Sequence, residues 1–318
     1  MMALKKAKII KWWGKVFILA LLVVFIVRAF FAQSYTVSSP QMETALLYGD
    51  RVIVNKLSYG IRLPSTLLSI PFTFDSFLGM KSYSGALQLG YHRWFSSQIP
   101  RNDVVLYNNP VETEKPFDKR TLFLSRCVAV PGDTIEVKGA DFFINGKQYI
   151  TSPDLLLPYS FPLLAKDTLL SVFKQMNIVP RNLSVDSVRG YLVQSKYEAF
   201  LVNQRLSDSL QIKLNTDENY SYQLLVPSKG MTVNLTDENR MLYASIIKDE
   251  LGDDVKNGHY IFKNDYYWLL SDNPEEGTDS RIVGFVSEKY IIGRASFIWY
   301  SSDENGKRRG SRCFTSVK

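Results

Sequence analysis

Three serines, Ser34, Ser38 and Ser39, stand just after a hydrophobic segment ending at Ala32, and their hydroxyls could do chemistry if a base served them. In the stretch SYTVSSPQMETALLYGDRVIVNK, residues 34–56, Ser38 and Ser39 are candidate nucleophiles. A hydroxyl becomes a useful nucleophile when a base takes its proton, and a lysine can be that base if burial keeps it neutral. Lys56 ends a strand-like run, and Lys119 belongs to the charged loop EKPFDKR, where a solvated, charged lysine is the default. His259 stands at a strand start, before Tyr260. Metal chemistry is not expected: the chain has two histidines, His92 and His259, and two cysteines, Cys127 and Cys313, without close ligand spacing. No other cofactor is expected. Cys127 sits in an apolar run that suits a buried thiol, and its separation from Cys313 decides nothing about a bond.

The elements that must carry these residues begin at the N-terminus. Five lysines place +5 in residues 1–15 and five basic residues place +5 in 307–318, which leaves the body at −3 out of a total of +7. A mildly acidic body with basic ends does not make the broad phosphate-binding face that a nucleic acid requires, so no nucleic-acid partner is expected. The first basic cluster precedes VFILALLVVFIVRAFFA, residues 16–32, broken only by Arg28. As a helix this run spans roughly 25 Å, and Trp12 and Trp13 can extend it at the headgroup boundary. Arg28 lies near the far end, where its side chain can snorkel. The basic flank predicts a cytoplasmic N-terminus (1–15), a single-pass anchor in the inner membrane (16–32) in contact with lipid, and an extracytoplasmic or periplasmic domain beyond about residue 33. A cleaved export signal is the alternative; against it, no clean small-x-small pattern follows, and Phe30, Phe31 and Tyr35 crowd the junction.

Beyond the anchor the pattern is β-rich. Short runs at 51–56, 103–107, 122–130, 134–137, 260–262, 266–270 and 294–300 are full of Val, Ile, Phe and Tyr and are separated by Gly, Asp, Asn and Pro. The section 138–258 has another texture, with helices expected over 167–176 and 236–250, the second capped by Thr236. The expected division is therefore a β core from 33–137 and 259–300, an inserted α+β lobe over 138–258, and a basic tail over 301–318.

Four blocks together resemble the bacterial signal peptidase I family. In the first, Met42 is followed by Leu46, Leu47, Gly49 and Asp50. The others are IPRNDVVLYNNP (99–110), SRCVAVPGDTI (125–135) and LLSDNPEEGTDSRIVGFV (269–286). The resemblance covers nearly all of the chain outside the insertion. It implies a mainly β fold, an antiparallel signal peptidase I-like core with an inserted α+β lobe and one N-terminal transmembrane helix. It also implies a reaction, cleavage of signal peptides from exported proteins by a serine with a lysine base, in which a second serine orients the lysine.

Carried over residue by residue, the resemblance places Gln41 at the nucleophile position, Ser125 at the general-base position and Gly277 at that of the base-orienting serine. Pro274 stands where an arginine is familiar. Ser39 matches the hydroxyl that assists the oxyanion hole, and Asp279 with Arg281 matches a structural ion pair. Neither a carboxamide nor a hydroxyl can replace the reactive pair, so the expectation is a homologue without peptidase activity. It would keep a binding role toward signal peptides or an active signal peptidase, with Ile53, Val128 and Val130 as groove candidates that core packing could equally claim. The alternative is an active serine endopeptidase rewired onto Ser39 or Ser38, with Lys56, Lys119 or His259 as base.

Overall fold

The computed structural model describes residues 2–70, 76–77, 79–138, 141–149, 156–215, 221–252, 258–273 and 277–317. The chain is mainly β, built from antiparallel sheets, with one N-terminal apolar helix. Met2–Ile26 is α-helical and Val27–Phe31 continues it as a π-helical turn. Within it Trp12–Phe31, 20 residues of mean hydropathy 2.4, is long and apolar enough to cross a membrane. No side chain from Trp12 to Ile26 is buried against the rest of the protein.

Two compact units follow from the contacts. One comprises Met1–Val37, Gly49–Leu124 and Lys289–Lys318; the other comprises Ser38–Tyr48 and Ser125–Glu288. In the first, strands Ala32–Thr36, Asp50–Asn55, Ile291–Ser301 and Val104–Asn108 lie side by side, all antiparallel. The strand Asp50–Asn55 alternates because Val52 and Val54 point into the core while Arg51 is exposed. Asp50 is fully buried at its start, accepting from Ser301 Oγ at 2.6 Å and from Arg312 Nη2 at 2.6 Å. Two residues of the C-terminal basic segment, Arg309 and Arg312, thus pair with this carboxylate. Gly49 before it adopts φ +84°, and a Cβ there would stand 2.2 Å from the carbonyl oxygen of Ser302, so only glycine fits.

In the second unit, the strand Leu122–Ala129, from Ser125 onward, pairs with Tyr266–Leu270, which pairs with Val286–Ser287. The chain then turns through Pro131 and Gly132, where Asp133 N donates to Val130 O at 3.0 Å and Gly132 takes φ +86°. The Asp133 carboxylate clamps the turn, accepting from Val130 N and from Asn145 Nδ2, both at 2.8 Å. Asn145 and Gly146, both with positive φ, join Asp141–Ile144 to Lys147–Gln148 in a two-residue hairpin. The core beneath gathers Val128, Ala129, Ile135, Phe262, Trp268 and Phe285, with Tyr243 stacked on Phe285 at 5.8 Å.

Helix Asp237–Leu251 of the same unit starts with a capping box, in which Asn239 N donates to Thr236 Oγ1 and Thr236 N to Asn239 Oδ1. It ends at Gly252 in the left-handed region. Its last turn carries Glu250, whose carboxylate accepts from Tyr260 Oη at 2.6 Å and Tyr266 Oη at 2.7 Å. Burial and this anion push both phenols well above the usual tyrosine range. A further sheet of the unit, Arg181–Val185, Arg189–Ser195, Leu156–Pro162 and Lys213–Leu214, packs with helices Lys166–Gln175 and Lys196–Asn203 around Phe161, Leu169 and Phe173. Cys127 and Cys313 are both thiols, the first buried and the second partly exposed.

Candidate functional site

Pro40 opens a single 3₁₀ turn, Pro40–Met42, because its fixed φ suits the first position of a helix and its missing N–H costs nothing there. The turn buries Gln41 and Met42, and Asn273 N donates to the Gln41 carbonyl at 3.0 Å, which ties the turn to the closing block. The Gln41 side chain, 4% exposed, reaches Ser125: its Nε2 donates to Ser125 Oγ at 3.1 Å and to the carbonyl of Thr278 at 3.3 Å. Two residues 84 positions apart are therefore in direct contact, and Ser125 is fully buried.

A second layer of polar contacts holds this pair in place. Arg126 grips Asp272 with two parallel bonds, Nε to Oδ1 at 3.0 Å and Nη2 to Oδ2 at 2.8 Å. Thr44 Oγ1 donates to the same carboxylate at 2.6 Å. The side-chain bonds from Asp272 hold the Arg126 guanidinium above its usual range against the burial that opposes it. Asp279, fully buried, caps the short helix Ser280–Val283, accepting from Arg281 N at 3.0 Å and from Ser271 N at 2.8 Å. Arg281 pairs with it through Nε at 3.0 Å. Ser280 Oγ accepts from Leu269 N at 2.9 Å, so the Asp279, Ser280, Arg281 sequence acts as one structural clasp.

Gly277 is close to Ser271. A Cβ built at Gly277 would lie 2.1 Å from Ser271 Oγ and 2.8 Å from Asn273 O. Ser271 Oγ is itself buried and, among the described residues, has no hydrogen-bond partner. The hydroxyl at 271 occupies the space a side chain at 277 would need. Sequence reading picked out Gly277 and passed over Ser271; the signal was present, since the closing block of the resembled family opens with glycine where this chain has Ser271. Pro274 lies outside the described residues.

The remaining expected site residues fall elsewhere. Ser38 is exposed and Ser39 partly so, and Ser39 begins the 3₁₀ turn without capping it through its hydroxyl. Lys56 Nζ donates to the carbonyls of Arg28 at 2.9 Å and Ala29 at 3.4 Å, so it caps the end of the apolar helix. Lys119 is buried to 9% exposure, with Nζ over the Tyr83 ring at 5.9 Å. This corrects the expectation of a solvated loop lysine: an aromatic face and the surrounding loop enclose it. His259 lies exposed on the strand Gly258–Ile261, opposite Asn234. Of the groove candidates, Val128 is packed in the hydrophobic cluster at 2% exposure, whereas Ile53 and Val130 are partly exposed. The described residues contain no group of three or more His, Cys, Asp or Glu side chains able to hold a metal.

Known proteins resemble this chain over most of its length. The sequence profile of the family described as signal peptidase, peptidase S26, matches residues 10–182 and 193–300. The chain is 24% identical over 287 residues to signal peptidase I of Buchnera aphidicola subsp. Baizongia pistaciae, covering 88% of this chain and 73% of that protein. It is 23% identical over 289 residues to signal peptidase I of Helicobacter pylori, covering 91% and 80%. To signal peptidase I P of Bacillus subtilis subsp. natto it is 28% identical over 145 residues, covering 46% and 55%.

Proposed function

The chain belongs to the peptidase S26 signal peptidase family, and from that premise we propose that it is a membrane-anchored member that binds extended peptide but does not hydrolyse it. The carrying observation is the hydrogen bond between Gln41 and Ser125. These residues touch, as a nucleophile and its base would have to, yet one is a carboxamide and the other a hydroxyl. The amide nitrogen lone pair is delocalised, so Gln41 is no nucleophile, and its two N–H groups are directed to Ser125 and the Thr278 carbonyl. A serine hydroxyl takes no proton near neutral pH, so Ser125 is no base. In a serine protease, removing the nucleophile or its base costs about 10⁶ in turnover, roughly 8 kcal/mol of barrier. Once that step is lost, neither base nor orienting serine is required, which accounts for Ser125 and Gly277 together.

What is left is the framework: the Arg126, Asp272 and Thr44 network, the Asp279 clasp, and an antiparallel sheet to which an extended peptide can add as a strand. The peptide is a signal peptide or a segment of an active signal peptidase in the same membrane. The five N-terminal lysines favour a cytoplasmic N-terminus, with the main domain on the periplasmic or outer side.

The rival reading is an active endopeptidase rewired onto Ser39 or Ser38, and the Ser39 hydroxyl, which does not cap the 3₁₀ turn it precedes, favours it. Against it, among the described residues neither serine is hydrogen-bonded to a lysine or histidine, and Lys56 is committed to the helix carbonyls. Full-length protein in detergent, titrated with a fluorescent synthetic signal peptide, separates the two. Saturable binding without product supports the proposal. Product that disappears in Ser39→Ala or Ser38→Ala refutes it.

A further inference from the structure

A basic cavity lies within the first unit, at the end of the apolar helix. It measures about 210 Å³ and is lined on one side by Phe25, Arg28 and Ala29 of that helix. Lys56, Arg62 and Lys119 complete its basic wall, against one carboxylate, Asp118. That carboxylate is already satisfied: Oδ2 accepts from Ser65 N at 3.2 Å and Thr66 N at 2.9 Å, and Oδ1 from Thr66 Oγ1 at 2.6 Å. Arg62 spends Nη1 on Asn108 Oδ1 at 3.0 Å, while its Nη2 is buried with no partner among the described residues. A buried guanidinium nitrogen without an acceptor is costly unless something supplies one. Lys56 reports the same excess of positive charge, since burial and then Arg62, Arg28 and Lys119 hold it down at about 8.

We propose that this cavity is a binding site for the phosphate of an anionic phospholipid headgroup, seated where the anchor helix leaves the bilayer. Four cations against one engaged carboxylate call for an anion, and the fork of a guanidinium suits a phosphate. A lipid rather than a free anion is favoured by the surroundings. Arg28 falls in the last turns of the apolar stretch Trp12–Phe31, at the depth of headgroups. The segment beside the cavity exposes Leu67, Leu68 and Ile70, the last of which also lines it, so acyl chains would meet apolar side chains next to the phosphate. The site would fix the height and rotation of the anchor against the membrane, independently of any peptide chemistry.

The test uses full-length protein in a neutral detergent, with dihexanoyl phosphatidylglycerol as probe and the thermal midpoint as readout. The midpoint is expected to rise saturably, with an apparent Kd weakened about fivefold by Lys119→Gln or by Arg62→Gln. Lys119→Arg, which keeps the charge, should retain binding, as should Lys81→Gln at an exposed position outside the cavity. Lys119→Arg also guards against loss of folding as the cause. Equal response to dihexanoyl phosphatidylcholine, saturation by inorganic phosphate at similar concentration, or unaltered affinity in both neutralising variants would each overturn the proposal. None of these readouts depends on cleavage or peptide binding.

Discussion

At the residue scale the account turns on pairs that fit each other. Gln41 and Ser125 satisfy one another across a buried contact, and Ser271 fills the space denied to a side chain at Gly277. The second pair makes a sharp prediction. Gly277→Ser alone should cost about 1–3 kcal/mol of stability through overpacking, and Ser271→Gly in the same molecule should recover most of it. Additive effects in a double-mutant cycle measured by denaturant unfolding would contradict the contact. Asp50 is the other decisive residue. It is fully buried against Arg312 and Ser301, so Arg312→Ala, which leaves its charge to Arg309 at 3.9 Å, should destabilise the protein by about 3 kcal/mol, whereas a surface pair would lose under 1. Sequence reading saw Asp50 as part of a motif and Arg312 as part of a basic tail. Nothing local in either segment announces a pairing across 262 positions.

At the element scale, local rules were readable and distant ones were not. Thr236 as N-cap, the Val-rich strand Asp50–Asn55 and the aromatic strand Tyr266–Leu270 all follow from pattern and capping chemistry. The helix Lys196–Asn203 went unread although Ser195 and Glu198 spell its capping box. Thr236→Ala should therefore cost about 1 kcal/mol in unfolding free energy, and a loss below a few tenths would argue that the cap is idle. The junction of the apolar helix with the first unit supplies a pH prediction. Burial, and after it the charges of Arg62, Arg28 and Lys119, hold Lys56 at about 8 against an ordinary 10.5. Below about pH 8 the lysine is charged in both folded and unfolded chains, and the penalty is complete. Between about 8 and 10.5 the folded protein sheds the proton first, so stability rises with pH. The unfolding free energy of the unaltered protein, measured relative to Lys56→Gln, should increase from about pH 7 to about pH 10; a flat difference would remove the burial argument.

At the scale of the whole molecule, the chain has an N-terminal apolar helix, antiparallel sheets and a polar framework beside Gln41 and Ser125, a carboxamide and a hydroxyl where the proposal locates a lost nucleophile and base. Family membership was legible because glycines, prolines and acidic residues at turns leave a pattern that survives at 24% identity. Residue types at the expected dyad could also be read directly. Their mutual contact and the displacement of Gly277 by Ser271 needed three dimensions, since each joins segments remote in sequence. The most direct measurement is a single-turnover assay, with full-length protein in excess over a signal-peptide substrate and product followed by mass spectrometry. It is run beside a variant carrying Gln41→Ser, Ser125→Lys, Gly277→Ser and Ser271→Gly. The account predicts no cleavage by the unaltered protein above the peptide alone and detectable cleavage by the fourfold variant. Cleavage by the unaltered protein that Ser39→Ala abolishes would contradict it.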